Sequence, residues 1–271
     1  MNIRQALAAA RAAGVDRLDA QLMLGALTGR DRAALLAHDE AELDAVQALR
    51  LGRWIARRAA GEPLAYVTGR SEFRGLMLDV SPATLIPRPE TELLVEWGLE
   101  CLTAAAAPAV VDLGTGSGAI ALAIKCALPA ATVTACDCSA DALAVARGNG
   151  LRLGIEVEWL EGDWWTPLAG RRYALALANP PYVAGDDPHL AALGHEPRGA
   201  LTPEGDGLAA LRRIVDGAPA HLLPGAWLLL EHGHDQADAV GRMLAARGFG
   251  PPRTRHDLAG LARCTGAAWC G

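Results

Sequence analysis

The spacing of apolar positions changes period along this chain. Through residue 60 they recur every three or four residues: Ile3, Leu7 and Ala10, then Leu18, Leu22 and Ala26, then Leu43, Val46, Leu49 and Ile55. That spacing lines one face of an α-helix. Breaks at Gly14, Thr28-Gly29 and Asp39-Glu40 cut the stretch into about four short helices, so residues 1–63 are expected to form a small helical bundle. Gly61-Glu62-Pro63 ends it. The bundle carries no catalytic constellation. A substrate-docking module and a stabilising appendage explain it equally well.

Residues 64–86 alternate and turn, with Tyr66, Val67, Phe73, Leu76, Leu78 and Val80 apolar and Gly69 and Gly75 between them. This predicts a β-hairpin linker. In Ile86-Pro87-Arg88-Pro89-Glu90-Thr91-Glu92 the prolines exclude regular structure, and Pro89 opens a helix running to about Ala106, with acids in its first turn. Arg88, stiffened between prolines, faces either the site or the surface.

From Ala109 the rhythm becomes strand, loop, helix. Strands are expected at 109–113, 131–136, 155–160, 173–178 and 226–231, and helices at 119–127, 140–149, 205–222 and 236–247. Residues 251–256 and 261–269 can close as an antiparallel pair. Strands alternating with helices imply a doubly wound α/β sheet over residues 87–271.

Two loops of that sheet carry chemistry. After the first strand comes Asp112-Leu113-Gly114-Thr115-Gly116-Ser117-Gly118, whose glycines let backbone approach a ligand at a helix N-terminus. Asp137, at the end of the second strand, is placed to bond ribose hydroxyls. Gly114-x-Gly116-x-x-Ala119 satisfies a dinucleotide fingerprint, and Gly114-x-Gly116-x-Gly118 fits the loop of methyltransferases that bind S-adenosylmethionine. Asp163-Trp164 after the third strand suits an adenine, edge and face. One of Trp164 and Trp165 is expected in the core.

The fourth strand ends in Asn179-Pro180-Pro181-Tyr182. Prolines stop strand and helix alike, and the residue before one is pushed out of the α region. Asn179 is thus held extended at the carboxyl end of a strand, where open α/β sheets bind ligands. Its side-chain oxygen and the Pro180 carbonyl are two acceptors suited to a planar –NH2 group, and Tyr182 offers a flat face. Holding both hydrogens leaves the nitrogen lone pair aimed at an electrophile. Hydride transfer needs no such clamp, which disfavours a dehydrogenase.

Composition narrows the partners. The formal charge is −6, with ten Arg against eight acids in residues 1–70 and the acid excess in the remainder. That argues against a broad nucleic-acid surface. No signal-peptide pattern and no apolar run of ~18 residues is visible, so a cytoplasmic protein without membrane contact is expected. The six cysteines include no Cys-x-x-Cys pair, so no zinc or thioredoxin-like site is suggested. Cys136 and Cys138 read as small apolar fillers. His232 and His234 read as a loop pair rather than metal ligands.

Asn-Pro-Pro-Tyr resembles the motif of methyltransferases acting on planar amino or amide nitrogens, among them DNA amino-methyltransferases and the glutamine methyltransferases of peptide chain release factors (the HemK/PrmC family). The rest of the chain is similar to the last group. Residues Ile86 to Glu92 resemble its signature, and Asp112 to Ala123 its cofactor loop. Glu196-Pro197 with Ala200-Leu201, Gly205 to Leu208, Glu231 to Gly233, and Asp257 to Gly260 with Arg263 match its later blocks in order. The N-terminal region has its size.

The resemblance implies a Rossmann-like class I methyltransferase sheet with a small N-terminal helical domain. It implies methylation of the side-chain nitrogen of the glutamine in the Gly-Gly-Gln motif of class 1 release factors, with release factors 1 and 2 as partners and no metal. Gly114, Thr115, Gly116, Ser117, Gly118, Asp137 and Trp164 would hold S-adenosylmethionine. Asn179, Pro180, Pro181 and Tyr182 would hold the glutamine, with Asn179 also near the methionine end. The family often has an acid near Ala174; its loss leaves this chemistry untouched. A ribosomal-protein glutamine, a nucleic-acid base and a non-catalytic scaffold are the rivals.

Overall fold

The computed structural model describes residues 1–102 and 106–271. The chain divides into two compact units, Met1–Arg70 and Ser71–Gly271.

The first unit is helical: α1 (Ile3–Ala12), α2 (Arg17–Thr28), α3 (Arg32–Ala37), α4 (Ala45–Ala59) and α5 (Leu64–Thr68). Each of the first four starts at a polar cap. Asn2 and Asp44 form reciprocal capping boxes with Gln5 and Gln47. Asp16 and Asp31 accept from Leu18 N and Ala34 N. Such caps satisfy orphan amides, each contributing about 1 kcal/mol. The helices enclose Ile3, Met23, Leu24, Leu35, Leu51, Trp54 and Val67. Helix α5 corrects the sequence reading: residues 64–68 form a helical turn after Pro63, not hairpin, and Gly69 ends it at φ 78°. Alternation over five residues, with a proline at the start, could not distinguish the two.

The hairpin is shorter than expected: β1 (Arg70–Phe73) and β2 (Leu76–Asp79). In the second unit α6 (Thr91–Cys101) precedes β3 (Ala109–Leu113); the helix stops at its cap Leu102, short of the expected end near Ala106. Then follow α7 (Ala119–Ala127), β4 (Thr132–Asp137), α8 (Ala140–Leu153), β5 (Glu158–Glu161), β6 (Tyr173–Ala178), α9 (Arg198–Leu201), α10 (Ala209–Gly217), β7 (Leu222–Glu231), α11 (Ala237–Ala246), β8 (Arg253–His256) and β9 (Ala262–Ala268). The helix expected over 205–222 is confined to 209–217. Pro219 follows in a single 3-10 turn, and β7 begins at Leu222.

Among the described residues the sheet has seven strands in the order β5-β4-β3-β6-β7-β9-β8. Neighbours from β5 to β7 run parallel, and β9 is antiparallel to both β7 and β8. Apolar residues alternate between two packed faces. Val110, Leu175, Leu177 and Leu229 join residues of α6 and α7 on one side. Val111, Ala176, Leu228 and Leu230 join residues of α10 and α11 on the other. This two-sided burial explains the continuous apolar runs read as strands. The strand order reverses between β3 and β6, so the carboxyl ends of those two strands flank the switch point, where ligands of open α/β sheets bind. No helix among the described residues is long and apolar enough to cross a membrane.

Candidate active site

At the switch point Leu113 of β3 pairs in register with Ala178 of β6. The next residues along the two strands are Gly114 and Asn179. The two loops singled out in the sequence are therefore neighbours in space, although ~60 residues separate them along the chain. Between them lies a cavity of about 240 Å³, lined by Gly114 to Ser117, Asp137, Trp164, Asn179 and Pro181 among others.

The glycine loop is held by its own sequence. The amides of Gly114 and Thr115 both donate to Cys136 O, at 2.9 and 3.0 Å. Asp112 is fully buried; its Oδ2 accepts from Thr115 Oγ1 at 2.6 Å and from Ala121 N at 3.2 Å, tying strand, loop and helix together. Its Oδ1 has no partner among the described residues. Burial pushes the Asp112 carboxyl up to about 7, against the Thr115 bond that favours the charged form. The Thr115 hydroxyl is thus committed within the loop. Gly114 sits at φ 75°, and a Cβ there would lie 3.0 Å from the Trp164 ring. The Trp164 ring packs over this backbone, and a side chain at 114 would crowd it.

Asp137 accepts from Gly116 N with Oδ2 and from Ser139 N with Oδ1, both at 2.9 Å. Each oxygen keeps a lone pair for a hydroxyl donor. Trp164 has φ 48° and lines the cavity; left-handed backbone at a bulky residue costs on the order of 1–3 kcal/mol and marks functional sites. Trp165 is the core member of the pair: its Nε1 donates to Ile214 O at 2.9 Å and its ring stacks on His221. The Asp163 carboxylate pairs with Arg213, which favours a backbone group over that acid for reading an adenine edge. These residues fit a nucleoside: a backbone cradle closed by an indole, with a carboxylate at the cavity wall.

The second loop is held from far away. Asn179 Nδ2 donates to Thr91 Oγ1 at 3.1 Å. Its Oδ1 therefore points away from that bond, and no donor among the described residues reaches it. Pro180 is buried and does not line the cavity, whereas Pro181 does. Tyr182 is half-buried and also lies outside the lining; its hydroxyl is 3.5 Å from Glu231 Oε1. Its carbonyl accepts from Gln236 Nε2 at 2.9 Å. Gly207 explains part of the Gly205–Leu208 block, since a Cβ there would meet Tyr182 O at 2.3 Å.

Arg88 faces the site and lines the cavity, with its charge committed to the buried Glu196. Glu196 also accepts from Ile86 N at 3.1 Å, fastening residues 86–88 to the loop after Tyr182. Sequence reasoning missed Thr91, Glu196 as a partner of Arg88, and Asn149. Buried Asn149 accepts from Asp79 N at 2.7 Å and donates to Asp79 O and to Ser117 O at 2.9 and 3.0 Å, bracing the glycine loop against β2. All three are polar residues that the resemblance block or a helical pattern contained without assigning a role. His232 and His234 lie in the loop after β7, as the sequence reading had them; His232 is fully buried, bonded to Gly233 O at 2.8 Å and to Thr265 Oγ1 at 2.7 Å, and burial holds its pKa down.

Comparison with known proteins agrees with this architecture. The PrmC N-terminal domain family matches residues 2–69 and the Methyltransferase small domain family matches residues 90–220. A curated protein of Bordetella pertussis named "Release factor glutamine methyltransferase" is 51% identical over 93% of this chain and 95% of its own length. One of the same name from Pseudomonas aeruginosa is 47% identical over 93% and 92%. Among solved structures, the T. thermophilus 16S rRNA N2 G1207 methyltransferase in complex with AdoMet and guanosine superposes with TM-score 0.57 at 19% identity, covering 74% of this chain and 49% of that one; this likeness concerns the fold.

Proposed function

The chain belongs to the release factor glutamine methyltransferases, and from that premise we propose that it moves a methyl group from S-adenosylmethionine to the side-chain nitrogen (N5) of the glutamine in the Gly-Gly-Gln motif of peptide chain release factors 1 and 2. The observation that carries this reading is the orientation of Asn179. Its –NH2 end is spent on Thr91, so its oxygen is the end left for a donor, beside the glycine loop that suits a nucleoside.

S-adenosylmethionine, when bound, supplies an electrophilic methyl on a sulfonium centre, so no metal is required. The chain's own residues do the rest. Gly114 to Gly118 offer close backbone, Asp137 takes the ribose hydroxyls, and Trp164 covers the adenine. Asn179 Oδ1 and the Pro180 carbonyl accept the two hydrogens of the glutamine amide, while Pro181 and Tyr182 wall its plane. An amide nitrogen is a poor nucleophile because its lone pair is delocalised. Orientation against a strong electrophile therefore has to provide most of the acceleration, and can reach ~7–11 kcal/mol in favourable cases. The two acceptors also stabilise positive charge developing on nitrogen. The proton leaves to solvent.

The domain roles follow the same reading: the helical unit Met1–Arg70 docks the release factor and the unit Ser71–Gly271 catalyses, in the cytoplasm. Mass spectrometry of a release factor incubated with enzyme and S-adenosylmethionine tests the proposal. One added methyl on the Gly-Gly-Gln peptide, lost when that glutamine is alanine, supports it. Methylation of a ribosomal-protein glutamine or of a nucleic-acid base instead would transfer the assignment to those substrates.

A further inference from the structure

Two blocks of the sequence are unused by the mechanism above, Gly205–Leu208 and Glu231–Gly233, and both lead to one atom, the carbonyl oxygen of Tyr182. Gln236, at the start of α11, donates from Nε2 to that oxygen at 2.9 Å. Gly207, at φ 74°, lies so close that a Cβ there would stand 2.3 Å from the same oxygen and 3.0 Å from Gln236 Nε2. On the other side of the same peptide, Val183 N donates to Leu201 O at 3.0 Å. Both polar groups of the Tyr182–Val183 peptide are therefore tied from other elements.

Gln236 is itself oriented. Its Oε1 accepts from Gly233 N at 2.9 Å, so the –NH2 end is the one turned to Tyr182. Its backbone N donates to Gly233 O at 2.9 Å. The same oxygen accepts from Nδ1 of buried His232 at 2.8 Å, since a carbonyl can only accept. The loop that carries Gln236 is thus fixed before it reaches the turn.

What Gln236 holds is the freedom that the prolines leave. Pro180 and Pro181 have locked φ. Asn179 and Pro180, each ahead of a proline, are kept out of the α region. The soft angles that remain in the turn are ψ of Pro181 and φ and ψ of Tyr182, and a bond to the Tyr182 carbonyl acts on those angles. Resting on the functional reading given above, we propose that Gln236 is a positioning residue that holds the Tyr182 end of the turn, so that the Tyr182 ring and the Pro180 carbonyl keep their places around the substrate amide.

Glutamic acid is the informative substitution. Ionised, it keeps an acceptor for Gly233 N but sets its second oxygen against the Tyr182 carbonyl. Protonated, it has an O–H donor in place of the –NH2 and restores the pair. An acid at the start of a helix is favoured, so Gln236→Glu keeps the fold. With saturating S-adenosylmethionine at about pH 8, Gln236→Glu and Gln236→Met are both expected to lower kcat for methylation of release factor about 100-fold, the cost of a misplaced group, with the Kd for S-adenosylmethionine unchanged. Between about pH 8 and about pH 5 the ratio of Gln236→Glu to wild-type kcat is expected to rise about 10-fold, given an ordinary glutamic acid pKa of about 4.3, while the Gln236→Met ratio stays flat. The nearby titrating groups, Glu204, Asp206, Glu231, His232, His234 and Asp235, are common to both proteins and cancel in the ratio.

A second readout needs no substrate. Hydrogen exchange at the Val183 amide is expected to be faster in Gln236→Met than in the wild type, with the Gly116 amide, held by Asp137 in the other loop, unchanged. If Gln236→Met leaves both kcat and this exchange unaltered, or the Gln236→Glu ratio is flat with pH, Gln236 does not position the turn while the function stands. If the wild type methylates no release factor, the function falls, and the Val183 exchange alone decides whether Gln236 holds the turn.

Discussion

The two loops that meet at the switch point are built in opposite ways. The glycine loop after β3 is held by a carboxylate of its own strand and by the end of the neighbouring strand, with Asn149 bracing Ser117. Asp112 holds Thr115 and Ala121, and the neighbouring strand end supplies Cys136 O and Asp137. The Asn179–Tyr182 turn after β6 has prolines to shape its backbone but borrows its side-chain order from residues 88 and 49 positions away, Thr91 and Glu231. The difference follows from what each loop must do. A loop that binds through backbone amides needs a fixed path, which glycines and one short-range carboxylate provide. A loop that binds through a side-chain amide needs a fixed rotamer, and rotamers are fixed by packing from other elements.

Substitutions can separate the two. The largest effect is expected at Asn179→Ala: methyl transfer falls by on the order of 10³-fold, as for loss of a donor or acceptor tuned to the transition state, while calorimetry shows S-adenosylmethionine binding nearly unchanged. Equal loss of binding would mean the turn belongs to the donor site. Next, Gly114→Ala acts on the other loop. Its Cβ would stand 3.0 Å from the Trp164 ring at φ 75°. Donor Kd should rise about 10-fold and stability fall by roughly 1 kcal/mol, with kcat at saturating donor little altered.

A smaller effect sharpens the contrast through pH. Asp112 and Glu231 both have carboxyls raised by burial to about 7. A raised folded pKa favours the protonated fold. Their contribution to stability is therefore complete below the unfolded values near 4 and is lost as pH rises through about 7. Unfolding free energies from denaturant titrations between pH 4 and 8 should decline with a slope of at most ~1.4 kcal/mol per pH unit for each group. Asp112→Asn and Glu231→Gln should each remove part of that slope. If neither changes it, the two carboxyls do not titrate in this range.

Much of this was legible in the chain. The strands β3, β4 and β6 and the helix α7 fall where apolar runs and glycines put them, because two-sided burial leaves a continuous signal. Pro180 and Pro181 declared the turn. Arg88 between prolines was readable as stiff, but its direction was not, since Glu196 lies 108 residues on. Thr91 looked only like a helix-starting residue. Asn149, inside α8, gave no sign of bracing Ser117 and Asp79. Partners of this kind are set by tertiary proximity, and spacing along one chain does not encode them. The turn at 64–68 was misread because five residues after a proline fit helix and strand alike.

The central claim is tested most directly by transfer of labelled methyl from S-adenosylmethionine to purified release factor, beside a version whose Gly-Gly-Gln glutamine is alanine, with duplex DNA and ribosomes as parallel acceptors. Label on the wild-type factor alone is the predicted result. Label on the alanine version, or only on DNA or ribosomes, would contradict it.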